Sequence, residues 1–205
     1  PPNPRTDTPM EALRIISDEH RSLAALLHAI RFMLKEAMAG RLTPDLKLFE
    51  AMVHYLDAYA EQRHHPKEDL LFGYLAERTT EGAAALATLG TQHAAAAERI
   101  ATLQQALAGF VADPAQLPVF SAAFDHYADF YRGHMMLEED TVLPLIRQHL
   151  TAEDWVAVDA AFVAEQHAKS GKTGHSEDFA GLFSRLVAAA PAPIGLGGGA
   201  FVPLP

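Results

Sequence analysis

The chain has 205 residues, 49% of them hydrophobic, a length that suits one ordinary domain with a sizeable core. Its formal charge of -10 argues against nucleic acid and anionic membrane as partners. It contains no cysteine, so disulfides, iron–sulfur clusters and thiolate zinc sites are excluded, and any metal must be held by nitrogen and oxygen atoms.

Alanine and leucine dominate and β-branched runs are scarce, which points to an all-α class. No apolar run reaches the roughly 18–20 residues of a membrane span. No signal peptide is visible in "PPNPRTDTPM", and the expected setting is the cytoplasm.

The first helix is expected to begin near Thr8, with Pro9 in its first turn, and to stop at Gly40. Its apolar seam reads Leu13, Ile16, His20, Leu23, Leu27, Ile30, Leu34, alternating steps of three and four. The second follows "RLTPD", with Thr43 expected as cap and Pro44 in first position. Its seam reads Phe49, Val53, Leu56, Ala60, His64, Glu68, Leu71, Leu75. The third is expected as one rod from about Thr80 to Val111, with the seam Leu86, Leu89, His93, Ala96, Ile100, Leu103, Leu107, Phe110. After the turn "ADPAQLP" the fourth reads Phe120, Phe124, Tyr127, Tyr131, His134, Glu138, Val142, Leu145. "TAEDW" opens a fifth, shorter helix capped by Thr151. "SGKTGHSED" reads as a loop and "FAGLFSRLVAAA" as one more short helix. The tail "PAPIGLGGGAFVPLP" cannot be regular and reads as mobile or draped over the surface. These boundaries make an up-down-up-down four-helix bundle over residues 8–150, a helical extension over 151–188 and a flexible tail over 189–205.

Four histidines and two glutamates interrupt four apolar seams. Short loops make consecutive helices antiparallel neighbours, so distance from the shared loop gives height at about 1.5 Å per residue. By that measure His20, His64, His93 and His134 fall in one layer, with Glu68 and Glu138 one turn away on the same faces. A lone seam histidine is ordinarily a hydrogen-bonded core residue. Six polar groups on four seams at one height are different, because burying them uncompensated would cost many kcal/mol. A metal compensates best. Four imidazoles and two carboxylates exceed what one tetrahedral zinc needs and suit two ions, with iron or manganese favoured and zinc possible.

The order His20, His64-x-x-x-Glu68, His93, His134-x-x-x-Glu138 resembles the hemerythrin-like (HHE cation-binding) proteins, most closely their bacterial H–HxxxE–H–HxxxE group. "SDEHRSL", "RHHPKEDLLF" and "HMMLEEDTVLPL" carry the resemblance, which covers residues from about 10 to 150. It implies a non-haem di-iron centre with an oxo or hydroxo bridge, ligated by those six residues, that binds O2, peroxide or nitric oxide. One departure matters. Oxygen-carrying members have two histidines four apart on the third helix, whereas here His93 is followed by Ala97. Candidate replacements are His65, Tyr127, Tyr131, Glu139 or water, although stripe tyrosines are ordinarily core residues.

Pro66 removes the backbone donor to Gln62 and is expected to produce a kink or a π-bulge beside the site. His65, turned by about 100° from His64 on a regular helix, is expected on the flank. His28, His54, His126, His149, His167 and His175 fall off the seams and read as surface or loop residues. Three functions follow as expectations: an O2-binding di-iron protein for sensing, delivery or protection; a peroxide-decomposing or ferroxidase-like oxidoreductase on the same ions; or a bundle with structural zinc.

Overall fold

The computed structural model of the chain describes residues 10–170, 179–197 and 201, with the backbone alone at 165–170, 179 and 180. Among the described residues there is no strand. Helix α1 spans Glu11–Met38 and ends with Gly40 at a φ of 70°, the left-handed position that glycine takes without strain. The second rod is continuous but not uniform: α2 (Leu46–Tyr55), a π-helical segment (Leu56–His64) and α3 (His65–Arg78). The third rod comprises α4 (Ala83–Ala94) and α5 (Ala96–Ala112). A single 3-10 turn (Pro114–Gln116) leads into the fourth: α6 (Leu117–Leu137), a second π segment (Glu138–Val142) and α7 (Leu143–His149). Helices α8 (Ala152–Ser170) and α9 (Phe179–Ala189) follow.

Two expectations are corrected. The cap of the second rod is Asp45, not Thr43: Asp45 is extended, its carboxylate accepts from Leu48 N, and Pro44 precedes the cap. The third rod is not one helix but breaks at Ala95 (φ −92°, ψ 3°). Arg99 compensates by donating to the carbonyl of Gln92, which the break frees. The fifth helix, 19 residues long, is shorter than each of the four rods, as expected. It starts on a reciprocal cap in which Asp154 N donates to Thr151 Oγ1 and Thr151 N donates to Asp154 Oδ2. Its Trp155, Val158 and Phe162 are buried. The expected start of the first helix at Thr8 and most of the "SGKTGHSED" loop lie outside the described residues.

The four rods pack as neighbours, α1 and α5 against α6 and α2 against α1 and α5. Their apolar faces make two separate clusters rather than one core. The larger holds Leu23, Ile30, Phe49, Met52, Phe120 and Phe124, among others. The smaller holds Ile16, Leu71, Leu75, Leu89, Val142 and Ile146. Each such side chain contributes about 1.5–3 kcal/mol on burial. The polar seam residues occupy the layer between the clusters. Helix α8 closes the smaller cluster, and its Asp159 accepts from Ala12 N at 2.9 Å, capping α1 where Met10 offers no side-chain cap. Helix α9 lays Leu182 and Leu186 on the larger cluster, and Ala190, just past its end, joins them. Beyond it, Phe201 is buried and its N–H donates to Asp45 Oδ2.

Candidate metal centre

Both π segments adjoin the polar layer, and both precede a proline by one residue. A proline at 66 in a regular α-turn would press on the carbonyl of Gln62, and one at 144 on that of Asp140. Widening the preceding turn relieves that contact. The bonds that do form are His65 N to Ala60 O and Leu143 N to Glu138 O, five residues apart. In the second rod the wider turn has a further consequence: His64 and His65 both point inward, 1% and 5% exposed. The expectation that His65 sits on the flank is thereby corrected.

The six seam residues lie together. His20 Nε2 is 2.9 Å from Glu68 Oε1 and 3.3 Å from Glu138 Oε2. His64 Nε2 is 2.9 Å from Glu68 Oε1, and His134 Nε2 is 3.2 Å from Glu138 Oε1. His93 Nε2 lies 3.5 Å from Glu68 Oε2 and 3.4 Å from His134 Nε2. Two groups emerge whose donor atoms fall within 4.8 Å of one another: His20, His64 and Glu68; and His65, Glu68, His93 and His134. Glu68 belongs to both.

Each ring turns its other nitrogen outward to an acceptor. His20 Nδ1 meets Glu139 Oε1 at 2.7 Å, His64 Nδ1 meets Glu19 Oε2 at 2.7 Å and His93 Nδ1 meets Asp69 Oδ1 at 2.7 Å. His134 Nδ1 meets Gln92 Oε1 at 2.7 Å, and His65 Nδ1 faces Glu61 Oε2 at 3.1 Å. A carboxylate only accepts, so in His20, His64 and His93 Nδ1 carries the hydrogen and Nε2 faces the centre, whereas His65 Nδ1 makes no hydrogen bond. Glu19 is itself held by the Lys67 ammonium and by the Tyr59 hydroxyl, 2.9 Å away. On the other side the Tyr131 hydroxyl meets His65 Nε2 at 3.0 Å, and Tyr127 donates to Glu61 Oε1 at 3.0 Å.

Titration follows this geometry. Burial opposes charge on His20, but the Glu138 and Glu68 carboxylates beside its Nε2 prevail and raise it to about 11. Burial likewise opposes charge on His64, which the Glu68 charge and the Glu19 hydrogen bond raise to about 9. Burial lifts Glu138 to about 7, aided by the like charge of Glu68 and offset by His20. Glu68 falls well below the ordinary carboxylate range despite burial, because His64 and His20 oppose it. His134, pushed down by burial against the pull of Glu68, falls to about 3. Protons on His20 and His64 thus supply the positive charge between the carboxylates.

That arrangement leaves donors over. His64 Nε2, Glu68 Oε2 and both Glu138 oxygens are buried without a hydrogen-bond partner. Each costs about 1–3 kcal/mol when left so. A cation among them would take up these lone pairs together, so the residues present fit a metal ion.

Sequence reading missed Glu19, Glu61, Lys67, Asp69 and Gln92. Glu61 stands four residues before His65, a helical pairing that becomes legible once His65 faces inward. Asp69 and Gln92 carry no such signal. Of the off-seam histidines, His28, His54 and His126 are exposed, and His149 pairs with Glu81 at 2.9 Å. The side chains of His167 and His175 lie outside the described residues.

Fold and site define a helical bundle with a buried histidine–carboxylate group able to bind metal. The family profile described as "Hemerythrin HHE cation binding domain" matches residues 11–146, and the chain belongs to that family. No curated protein matches the chain, and no solved structure does. Among the described residues no helix is long and apolar enough to cross a membrane.

Proposed function

We propose that His20, His64, Glu68, His93, His134 and Glu138, joined by His65, hold a pair of transition ions, iron in preference to manganese or zinc, and that the protein binds O2 or a related small oxidant there. The observation that carries this reading is the sharing of Glu68 between two donor groups, beside orphaned oxygens of Glu138. One carboxylate facing two sets of imidazoles suits two adjacent cations better than one. His65 supplies the imidazole that Ala97 lacks, delivered from the second rod by the π turn.

When bound, such a pair supplies electrons and open coordination positions to a small oxygen ligand. The chain's own residues do the rest. Glu19, Asp69, Glu139 and Gln92 fix the orientation of His64, His93, His20 and His134 through the Nδ1 hydrogens. Lys67 offsets the charge that Glu19 brings into the interior. The two apolar clusters on either side exclude bulk water from the layer.

Metal analysis together with a visible spectrum recorded with and without air tests this reading. A pair of irons per chain and a spectrum that responds to O2 or peroxide are expected. Zinc alone, with no spectral response, would replace it with a structural role. Fast oxygen evolution from peroxide, lost in His64→Ala, would assign the protein as a peroxide-decomposing oxidoreductase.

A further inference from the structure

Four of the chain's five tyrosines stand in two pairs beside the centre, Tyr55 with Tyr59 and Tyr127 with Tyr131. Within each pair the residues are four apart on one rod, and the ring centroids lie 5.0 Å apart. The surroundings of the two pairs differ. Tyr59 donates to Glu19, which already serves His64 and Lys67, and Tyr55 leads on to the ring of Phe183 on α9.

The second pair is connected at both ends. Tyr131 touches His65 directly, hydroxyl to Nε2 at 3.0 Å. Tyr127 donates to Glu61 Oε1, whose companion oxygen faces His65 and has no hydrogen-bond partner. Tyr127 is 1% exposed, yet it forms part of the wall of a cavity of about 270 Å3 between α5 and α6. Leu103 and Ala123 make an apolar floor there, and Glu98, Arg99, Thr102 and His126 a polar rim. Arg99 is held in place, with its guanidinium over the Phe130 ring and a hydrogen bond to Gln92 O. A line of touching groups therefore runs from the centre through His65, Tyr131 and Tyr127 to that cavity.

We infer that Tyr131 and Tyr127 form a one-electron relay between the centre and a small hydroquinone-class reductant seated in the α5–α6 cavity. The inference rests on the redox-active pair of ions proposed above. The oxidant is a hydroperoxide held at the already oxidised centre: its O–O bond breaks as it takes up two electrons, one at a time, and two protons from solvent, giving water and an alcohol, or two waters from hydrogen peroxide. The first of those electrons leaves Tyr127 by way of the Tyr131 ring. The O–H bond of Tyr127 breaks as the electron leaves, and its proton crosses 3.0 Å to Glu61 Oε1, leaving a neutral phenoxyl group. The reductant returns one electron to that oxygen and releases its own proton to solvent, while Glu61 gives its proton back and restores the O–H bond. A second passage delivers the second electron. A single-ring diphenol suits the cavity because its ring matches the apolar floor and its hydroxyls the polar rim.

The test uses the full chain loaded with ferrous iron. Hydrogen peroxide is added beyond the equivalent that oxidises the ferrous iron, the mixture is freeze-quenched, and paramagnetic resonance and visible spectra are recorded. A tyrosyl signal that narrows with ring-deuterated tyrosine is expected, absent from Tyr127→Phe and Tyr131→Phe and present in Tyr74→Phe. Unchanged ferric bands in all three variants show that fold and iron loading survive. Hydroquinone should re-reduce the oxidised wild-type protein quickly and Tyr127→Phe slowly, with the peroxide step the same in both. Iron oxidised without any tyrosyl signal, or a signal persisting in the double variant, overturns the relay and leaves the metal reading standing. Ferrous iron that peroxide does not oxidise overturns both, and the visible spectrum alone reveals that outcome.

Discussion

Glu19 Oε2 lies 2.7 Å from His64 Nδ1, so the residue just before one inward histidine orients the histidine of another rod. Glu19 and His20 are neighbours in sequence with opposite duties, one setting a ring and the other presenting one. The burial of Glu19 is tolerable because Lys67 and Tyr59 meet its other oxygen.

Glu19→Gln should therefore weaken metal binding while leaving the fold intact. Loss of such an outer partner lowers affinity by about 10–100-fold. Competition against a chelator measures this, and far-ultraviolet circular dichroism checks the fold. Affinity equal to wild type would show that Glu19 has no part in setting His64.

Glu68 faces both donor groups, whereas His65 belongs to one. Glu68→Ala should abolish binding of both ions, and His65→Ala should leave one ion per chain. Metal content after gel filtration decides. Full stoichiometry in His65→Ala would return the vacancy at Ala97 to water or to Tyr131.

Without metal, His20 at about 11 and His64 at about 9 carry protons at neutral pH. An imidazole must lose its proton to bind a cation, so loading should release protons. The sign follows: affinity rises with pH until these two groups deprotonate by themselves, and falls in acid. Titration calorimetry in buffers of different ionisation enthalpy reads the protons released. A buffer-independent heat would contradict the proton pattern.

Asp154 joins the Arg78 guanidinium and the Thr151 cap, and the Arg78 hydrogen bond foremost holds its carboxyl below the ordinary value of 3.8. The unfolded chain then binds more protons than the folded one in this range. The contribution is complete above pH 3.8 and is lost as pH falls toward the lower folded value. Urea melts across that window should show a shallower acid loss for Asp154→Asn. Parallel curves for the two proteins would remove Asp154 from the account of acid unfolding.

Helix α8 closes the smaller core cluster rather than lying apart from the bundle. Phe162→Ala should cost about 3–5 kcal/mol by cavity formation, whereas Val156→Ala, at 66% exposure, should stay within about 0.5 kcal/mol. Denaturant melts distinguish them. An equally small effect for both would make residues 151–170 an independent appendage.

The seams were readable because a buried helix face repeats every three to four residues, so polar intruders such as His20 and Glu68 stand out against leucine and isoleucine. Their common height was readable because antiparallel rods share loops. Pro66 announced a local irregularity beside His64. The Ala94–Ala97 run gave no warning of the break at Ala95, since alanine neither anchors nor interrupts a helix. Thr43 and Asp45 are both competent caps, and nothing local chose between them.

From the sequence alone came the helical class, the four seams and the identity of six inward polar residues, because periodicity and the cost of burying polar groups act through residue type and spacing. The inward turn of His65, the Nδ1 partners and the tyrosine line to the α5–α6 surface were decided only by the folded molecule. Those features depend on how wide one turn is and on which side chains meet across rods, and residues as far apart as His20 and Glu139 acquire a mutual distance only when the rods are packed.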